Sequence, residues 1–379
     1  MRITSLQLEN FKNYEKLSFS FGDTNPTVLI GNNGQGKTNF LEAIVVLALS
    51  KSFQPLALKE MVNWYLSEAE TGLPEFFRIT GTVEAKGGES QLEVFCGKTR
   101  KYPKTLKVND LKVKPKDYIG TLRIVLFTPQ DLNIIMLSPT LRRRYVDLMI
   151  SQVDKVYLEH LSKYQLVVKH RNKLLGAIQE KTSSADELGY WDEQLVEHGS
   201  YLLWKRREVF GVLNQRLAEQ YQKISGEKVE LEVVWKKEWG RGENFENHMD
   251  LGDLVSEFNE YISEKRFRDI ATGSTCGGPH REDFFFQMNE RNLANFGSRG
   301  ECRSTILALK LAELSFITET TGESPVLLFD DVLSELDPDR QQNLLELFDT
   351  DQVIITSTHL DGEKSEGVWE VKGSELTAL

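Results

Sequence analysis

The sequence predicts an α/β protein whose first and last thirds build one head, with a largely helical lobe inserted between them. Three observations carry this. A short apolar strand, a glycine-rich loop and a helix follow one another near the start, at residues 27–45. A second apolar strand, Pro325-Val-Leu-Leu-Phe-Asp330-Asp331, ends in two carboxylates near the other end. Between them lies a long stretch of helical periodicity. The expected division is 1–130 with 275–379 for the head and 131–274 for the inserted lobe, a reasonable split for 379 residues.

The elements follow in order. Leu6, Leu8 and Phe11, then Leu17, Phe19 and Phe21, alternate with a period of two, the pattern of a β-meander. Thr27-Val-Leu-Ile30 reads as a buried strand and Asn39 to Val45 as the start of a helix. Ile79, Gly81 and Val83, then Leu92, Val94 and Cys96, predict another hairpin, and Val108-Asn-Asp-Leu111 a tight turn. Leu122 to Phe127 is a strong buried strand. In the middle, Leu158, Leu161, Tyr164, Val168, Leu175 and Ile178 recur at helical spacing. Lys181 to Ala185 interrupts them, and a second series runs from Trp191 to Ile224. Two such helices joined by a short polar loop read as an antiparallel helical hairpin, too short for a coiled-coil rod. Strand-like Val229 to Trp235 and a polar stretch, Lys236 to Asn247, come next. The last third returns to α/β: a helix over 301–318, the strand at 325–329, a helix over 339–347 and a strand at 352–355. The strands at both ends should share one sheet.

The loop Gly31-Asn32-Asn33-Gly34-Gln35-Gly36-Lys37-Thr38 is a complete P-loop between strand and helix. Its glycines let backbone N–H groups approach phosphate oxygens, and the helix N-terminus adds its dipole. Lys37 is expected on the β- and γ-phosphates of ATP and the Thr38 hydroxyl on Mg²⁺. Asp330 fits the Walker B role of holding the metal, and Asp331 stands where a carboxylate orients the attacking water, though with shorter reach than glutamate. Ser298-Arg299-Gly300-Glu301 opens a helix ahead of that strand. Alone it is explained equally well by an ordinary N-cap. In order with the P-loop and the paired carboxylates it matches an ABC-type layout, in which this segment of one subunit meets the γ-phosphate held by another. Ser334-Glu-Leu-Asp337 matches the D-loop of that layout, His359 a switch histidine, and Gln130 a Q-loop residue sensing the metal.

Composition narrows the partners. The net charge is −11, so any nucleic-acid site has to be a local basic surface. The densest window is Lys98 to Lys116, with Lys101, Lys104 and Lys107 at its centre; a solvated hairpin face would have the same composition. Arg142, Arg143 and Arg144 form a smaller cluster, as do Lys205, Arg206 and Arg207; either also fits the charged side of a helix. No apolar run is long enough to span a membrane. The N-terminus begins directly with strand-like residues, and three cysteines lack metal-like spacing. Both features suggest a reduced, cytoplasmic protein.

These pieces together resemble the RecF recombination family. The resemblance rests on Leu8-Glu-Asn-Phe-Lys-Asn-Tyr14, the P-loop, Phe127 to Leu132, Pro139 with Arg142 to Asp147, Gly278-Pro-His-Arg-Glu-Asp283, Ser298 to Glu301 and Leu328 to Asp337. Several of these also occur in Rad50 and SMC heads. The resemblance implies an ATP- and Mg²⁺-dependent homodimer engaging gapped or single-strand/double-strand junction DNA. It further implies slow hydrolysis used as a switch, and cooperation with RecR and RecO in recombinase loading and the SOS response. Two positions depart from the pattern: Glu301 replaces the usual signature glutamine, and Lys12 stands where related heads place an arginine near the nucleotide. A defence-type or nuclease-coupled ATPase head is the alternative, for which residues 360–379 leave little room.

Overall fold

The computed structural model describes residues 1–54, 56–65, 75–236, 250–332, 352–358 and 367–379. The chain divides into two compact units, Met1–Asp131 with Glu313–Leu379, and Leu132–Ala312. The expected second boundary, 274/275, is therefore displaced to 312/313, and strand pairing is the reason. Asp283–Met288 pairs antiparallel with Leu231–Lys236, which holds the segment after residue 274 to the central one. The expected helix over 339–347 and the polar stretch after Lys236 lie outside the described residues.

Among its described residues the first unit contains two six-stranded sheets. One is antiparallel, in the order β2 (Tyr14–Ser20), β1 (Arg2–Phe11), β4 (Phe76–Ala85), β5 (Gly88–Gly97), β6 (Thr105–Val108), β7 (Leu111–Lys112), with β3 (Thr27–Ile30) in the other sheet. Its alternating apolar side chains, such as Leu6, Leu8, Ile79, Val83, Leu92 and Val94, are buried, as period-two patterning requires. Asn109 and Asp110 both take positive φ, 49° and 63°, closing the β6–β7 hairpin with the left-handed turn that suits strand twist.

The second sheet joins the two ends of the chain. Its order is β15 (Glu375–Ala378), β14 (Val368–Lys372), β3, β13 (Val353–Ser357), β12 (Val326–Asp330), β8 (Ile124–Phe127). All neighbours from β14 to β8 run parallel, and only β15 is antiparallel. Near-continuous apolar strands such as Val326–Phe329 fit a sheet covered on both faces. Helix α1 (Lys37–Leu49) touches strands of both sheets, which explains why Phe40 to Leu49 is buried all round and, apart from Glu42, apolar.

In the second unit, α3 (Lys155–Gln179) and α4 (Leu188–Ser225) follow α2 (Pro139–Ser151) and form the expected antiparallel hairpin. Tyr157 meets Arg206, His160 meets His198 and Arg171 meets Asp192, a pairing that descends one helix as it climbs the other. Beside it lie the three-stranded sheet β11 (Arg291–Asn292), β10 (Asp283–Met288), β9 (Leu231–Lys236) and helix α5 (Leu251–Thr272). Helix α6 (Arg299–Thr321) carries the 312/313 boundary within it.

Buried ion pairs knit this unit together. Arg206 donates to Asp147, Glu282, the Pro279 carbonyl and the Tyr157 hydroxyl, all between 2.7 and 3.0 Å. Arg171, with no exposed side chain, pairs with Asp269 at 2.7 Å and Asp192 at 2.8 Å and donates to Thr275. His280 bridges Tyr164 (2.6 Å from Nδ1) and the Thr275 carbonyl (3.1 Å from Nε2). The carbonyl can only accept, so Nε2 carries the proton and Nδ1 accepts from the tyrosine. Burial then pushes the imidazole down to about 4.

That value makes a pH prediction. An unfolded histidine protonates near 6.5 whereas folded His280 resists until about 4. Its contribution is therefore complete above about pH 6.5 and is lost as pH falls towards 4, by at most about 3 kcal/mol. Urea titrations across this range should show that loss in the wild type and a shallower pH slope in His280→Gln.

Candidate functional site

Parallel strands place their carboxyl ends on one edge of the sheet, and the predicted site residues fall there. Gly31 follows β3, Asp330 ends β12, Thr358 follows β13, and Gln130 lies exposed just beyond β8. Strand β13 lies between β3 and β12, so the P-loop and the carboxylate strand are separated by one strand. His359 and Ser334 to Asp337 lie outside the described residues.

The loop is shaped by close approaches that only glycine permits. A Cβ on Gly31 would stand 2.4 Å from the Val371 carbonyl oxygen. One on Gly36 (φ 116°) would stand 2.5 Å from Asn13 Nδ2 and 2.9 Å from the Tyr14 hydroxyl. Gly36 is the N-cap of α1, which has no side-chain cap and no acid in its first turn, so its leading N–H groups are unopposed by carboxylate. Lys37 is buried and its ammonium donates to the carbonyls of Gly31 (2.5 Å) and Asn32 (3.1 Å). Desolvation pulls the Lys37 ammonium below its usual range, opposed by Asp331 and Asp330. Asn33 and Gly34 form the exposed crest.

Thr38 Oγ1 lies 2.9 Å from Asp330 Oδ1, joining residues 292 apart in sequence. Thr356 of β13 donates to the same oxygen at 2.9 Å. Burial pushes the Asp330 carboxyl upward, and the two hydroxyls pull it back. Asp331 has φ 55°, and its N–H is held by the carbonyl (3.2 Å) and hydroxyl (3.0 Å) of Thr356. A left-handed non-glycine residue at a strand end costs free energy and turns the chain sharply after Asp330.

The residues present fit a nucleotide and its metal. Glycine loop, lysine and uncapped helix N-terminus form an anion cradle. Thr38 and Asp330 offer hard oxygens suited to Mg²⁺. Among the described residues no group of three or more His, Cys, Asp or Glu could hold a metal. Thr38 and Asp330 would hold Mg²⁺ in company with phosphate oxygens.

Several supports escaped the sequence reading. Tyr14 donates to the Gly36 carbonyl at 3.1 Å. Asn13 receives a bond from Asn39 at 2.6 Å and donates to Ser374 at 2.7 Å. Gly373 N–H donates to the Gln35 side chain at 2.7 Å. The β14–β15 turn thus steadies the P-loop from the far end of the chain. Asn13 and Tyr14 belong to the quoted Leu8–Tyr14 block, but nothing in that block signals the partner at Ser374. Lys12 has its ammonium buried against Glu42, with Asn39 at 3.2 Å, so it braces α1.

In the second unit, Ser298 and Gly300 are exposed at the start of α6. Ser298 Oγ accepts from Glu301 N at 3.2 Å, and the Glu301 carboxylate accepts from Ser298 N at 2.7 Å. This reciprocal capping box gives the departure at Glu301 a physical role. The bonds to Ser298 lower the Glu301 carboxyl below its usual range.

The expected DNA contacts are largely engaged elsewhere. Lys104 donates to the Ser50 carbonyl (2.9 Å) and hydroxyl (3.0 Å), satisfying the C-terminus of α1. Lys107 pairs with Glu93 at 2.8 Å. Lys101 lies over the Tyr102 ring and keeps its ammonium available. Arg142 is buried and bidentate on Asp283 (2.7 and 3.1 Å), with a further bond to the Leu137 carbonyl. Arg143 donates to the Glu282 carbonyl at 2.7 Å. Positive charge in a sequence does not reveal which cations a fold consumes.

A strand, P-loop and helix, with a carboxylate strand one position removed and a Ser-x-Gly helix start, define an ABC-type P-loop ATPase head. The RecF/RecN/SMC N terminal domain family matches residues 2–370. The curated DNA replication and repair protein RecF of Bacillus thuringiensis (strain Al Hakam) is 38% identical over all 379 residues, which span 97% of that protein. The same figures hold for the RecF of Bacillus cereus (strain B4264). A solved structure of the recombination mediator protein RecF-ATP in the RecFOR pathway superposes with TM-score 0.90 at 30% identity, covering 100% of this chain and 97% of that one. An SMC head bound to the C-winged helix domain of ScpA shares the fold at TM-score 0.53 and 14% identity. The chain belongs to the RecF family.

The Lys104 geometry gives a stability prediction. Lys104→Met leaves the carbonyl and hydroxyl of Ser50, the C-cap of α1, without their ammonium and should lower stability by about 1–2 kcal/mol in chemical denaturation. ATP affinity should change less than twofold, because the P-loop lies at the other end of α1.

Proposed function

We propose that this protein is an ATP-dependent DNA-binding protein of recombinational repair, acting in the cytoplasm. It dimerises with ATP on gapped or single-strand/double-strand junction DNA and, with RecO and RecR, assists recombinase loading and the SOS response. Family membership and the names of its relatives support the reading. The observation that carries it is the 2.9 Å contact between Thr38 and Asp330, which brings the two halves of an ATP-Mg²⁺ site together. Units 1–131 with 313–379 form the ATPase head, and 132–312 the inserted lobe.

The roles follow from the geometry. Gly31 to Gly36 wrap the phosphates, and the first-turn N–H groups of α1 bind their oxygens. Lys37 exchanges its carbonyl partners for phosphate oxygens, a gain because its desolvated ammonium then meets formal charge. Mg²⁺ held there would supply charge neutralisation at the phosphates. Thr38 and Asp330 would hold that metal, and Gln130, just beyond β8, would sense it. Asp331 orients the attacking water. Its short side chain makes hydrolysis slow, so turnover acts as a timer stimulated by DNA. Ser298 and Gly300 complete the γ-phosphate site of a second copy, for which their exposure leaves them available.

Sedimentation with and without ATP and Mg²⁺ tests the reading. The wild type should become a dimer with ATP. Lys37→Met should bind no ATP and stay monomeric, whereas Ser298→Arg should bind ATP yet stay monomeric. A Ser298→Arg protein that dimerises normally refutes the composite site. In phosphate-release assays Asp331→Asn should slow turnover by on the order of 100-fold and prolong the DNA-bound dimer; unchanged turnover would remove Asp331 from the chemistry.

A further inference from the structure

The second unit contains a cavity of about 420 Å³ lined by Tyr261, Lys265, Arg268, Cys276 and Arg281. It holds three cations and no carboxylate. Tyr261, Lys265 and Arg268 recur at four and three residues along α5, so they share one face of that helix. Arg281 comes from the loop that follows it. Among the described residues no acid lies within ion-pairing distance of Lys265, Arg268 or Arg281, in contrast to Arg142, Arg171 and Arg206. Lys265 stands 5.3 Å above the Tyr261 ring, and among the described residues the Arg281 side chain donates to the Thr275 carbonyl alone, at 3.3 Å.

The walls are preorganised. Thr275 N–H donates to Asn172, and its hydroxyl partners Arg171. Cys276 N–H donates to the buried carboxylate of Asp269 at 2.9 Å. A Cβ on Gly277 would strike the Tyr261 ring at 2.2 Å, so the loop lies directly on α5. In a chain of net charge −11, an unneutralised cluster on a rigid scaffold has to be maintained against no internal partner. An anion is the ligand it suits. Phe267, which does not line the pocket and is turned about 100° around α5 from Arg268, is 88% exposed, a large aromatic surface beside it on which a base of the same strand can stack.

We infer that the α5 pocket binds backbone phosphates of single-stranded DNA, with Lys265, Arg268 and Arg281 as the cations and Phe267 as a stacking platform. This rests on the DNA-binding reading above and supplies a location for it, since Lys104, Lys107, Arg142 and Arg143 are engaged within the fold.

Fluorescence anisotropy with a labelled single-stranded oligonucleotide, run on the full chain with ATP and Mg²⁺ over a salt series, tests it. Among the described residues neither Lys265 nor Arg268 has a hydrogen-bond acceptor, so Lys265→Gln/Arg268→Gln should fold normally, as an unchanged melting curve would verify. The double variant should bind at least tenfold more weakly at low salt. The slope of log affinity against log salt should be shallower by about 1.4, at about 0.7 per phosphate contact on a single strand. Phe267→Ala should weaken binding several-fold with an unchanged salt slope. If the wild type binds DNA and the double variant matches it in affinity and slope, the pocket is refuted while the functional reading stands. If the wild type binds no DNA, both fall. Titration with inorganic phosphate alone separates the sources: pocket-dependent phosphate binding beside unaltered DNA binding would make this a free-anion site and overturn the proposal. Loss of binding to an acidic protein with DNA binding intact would do the same.

Discussion

The oxygen Oδ1 of Asp330 accepts from Thr38 on α1 and from Thr356 on β13, and the candidate ATP site depends on that shared acceptor. Each partner comes from a different strand–loop of the parallel sheet, so one carboxylate records the correct order β3-β13-β12. The arrangement has a cost. Asp330 is buried, and desolvation alone would drive it towards its neutral form. Two hydroxyl donors offset part of this and aim the carboxylate at the P-loop. A bound cation would offset the rest. A site that is electrostatically incomplete by itself binds its metal more strongly than one already neutralised by a lysine or arginine.

Lys37 poses the complementary problem. Its ammonium is desolvated and depends on the Gly31 and Asn32 carbonyls, with two aspartates nearby. Carbonyl dipoles are weaker partners than a phosphate of formal charge. Anion binding and cation binding at this edge therefore favour each other. The far ends of the chain hold the geometry still: Asn13 and Tyr14 from the β1–β2 turn, and Gly373 and Ser374 from the β14–β15 turn, grip Gln35 and Gly36. A loop with three glycines would otherwise lose considerable conformational entropy on binding.

The P-loop, the carboxylate strand and both hairpins were legible because each is local: a strand period, a glycine pattern or a helical stripe within one window of sequence. What could not be read depended on distant partners. The second domain boundary was misplaced because β10 belongs beside β9, a pairing that no periodicity before residue 283 announces. Arg142 and Arg206 read as exposed charge, yet they are buried, because Asp147, Glu282 and Asp283 arrive from other segments to neutralise them. Lys104 reads as one cation of a basic window, and its acceptor, Ser50, lies 54 residues away.

This redistribution gives two of the family blocks a structural role. Pro139 to Asp147 and Gly278 to Asp283 meet in one network of Arg142, Arg143, Arg206, Asp147, Glu282 and Asp283. Removing one member of such a network strands its partner's charge in a dry interior, at a typical cost of about 3–5 kcal/mol. That penalty ties α2, α4 and the loop before β10 into a single geometry. The same loop presents Arg281 at the α5 pocket, and its Thr275–Cys276 stem is clamped by Arg171 and Asp269. The buried arginines therefore do structural work that sets exposed ones in place. Charge held inside the unit fixes where charge is left over at its surface, and in an acidic chain the leftover cations are where a polyanion can be received.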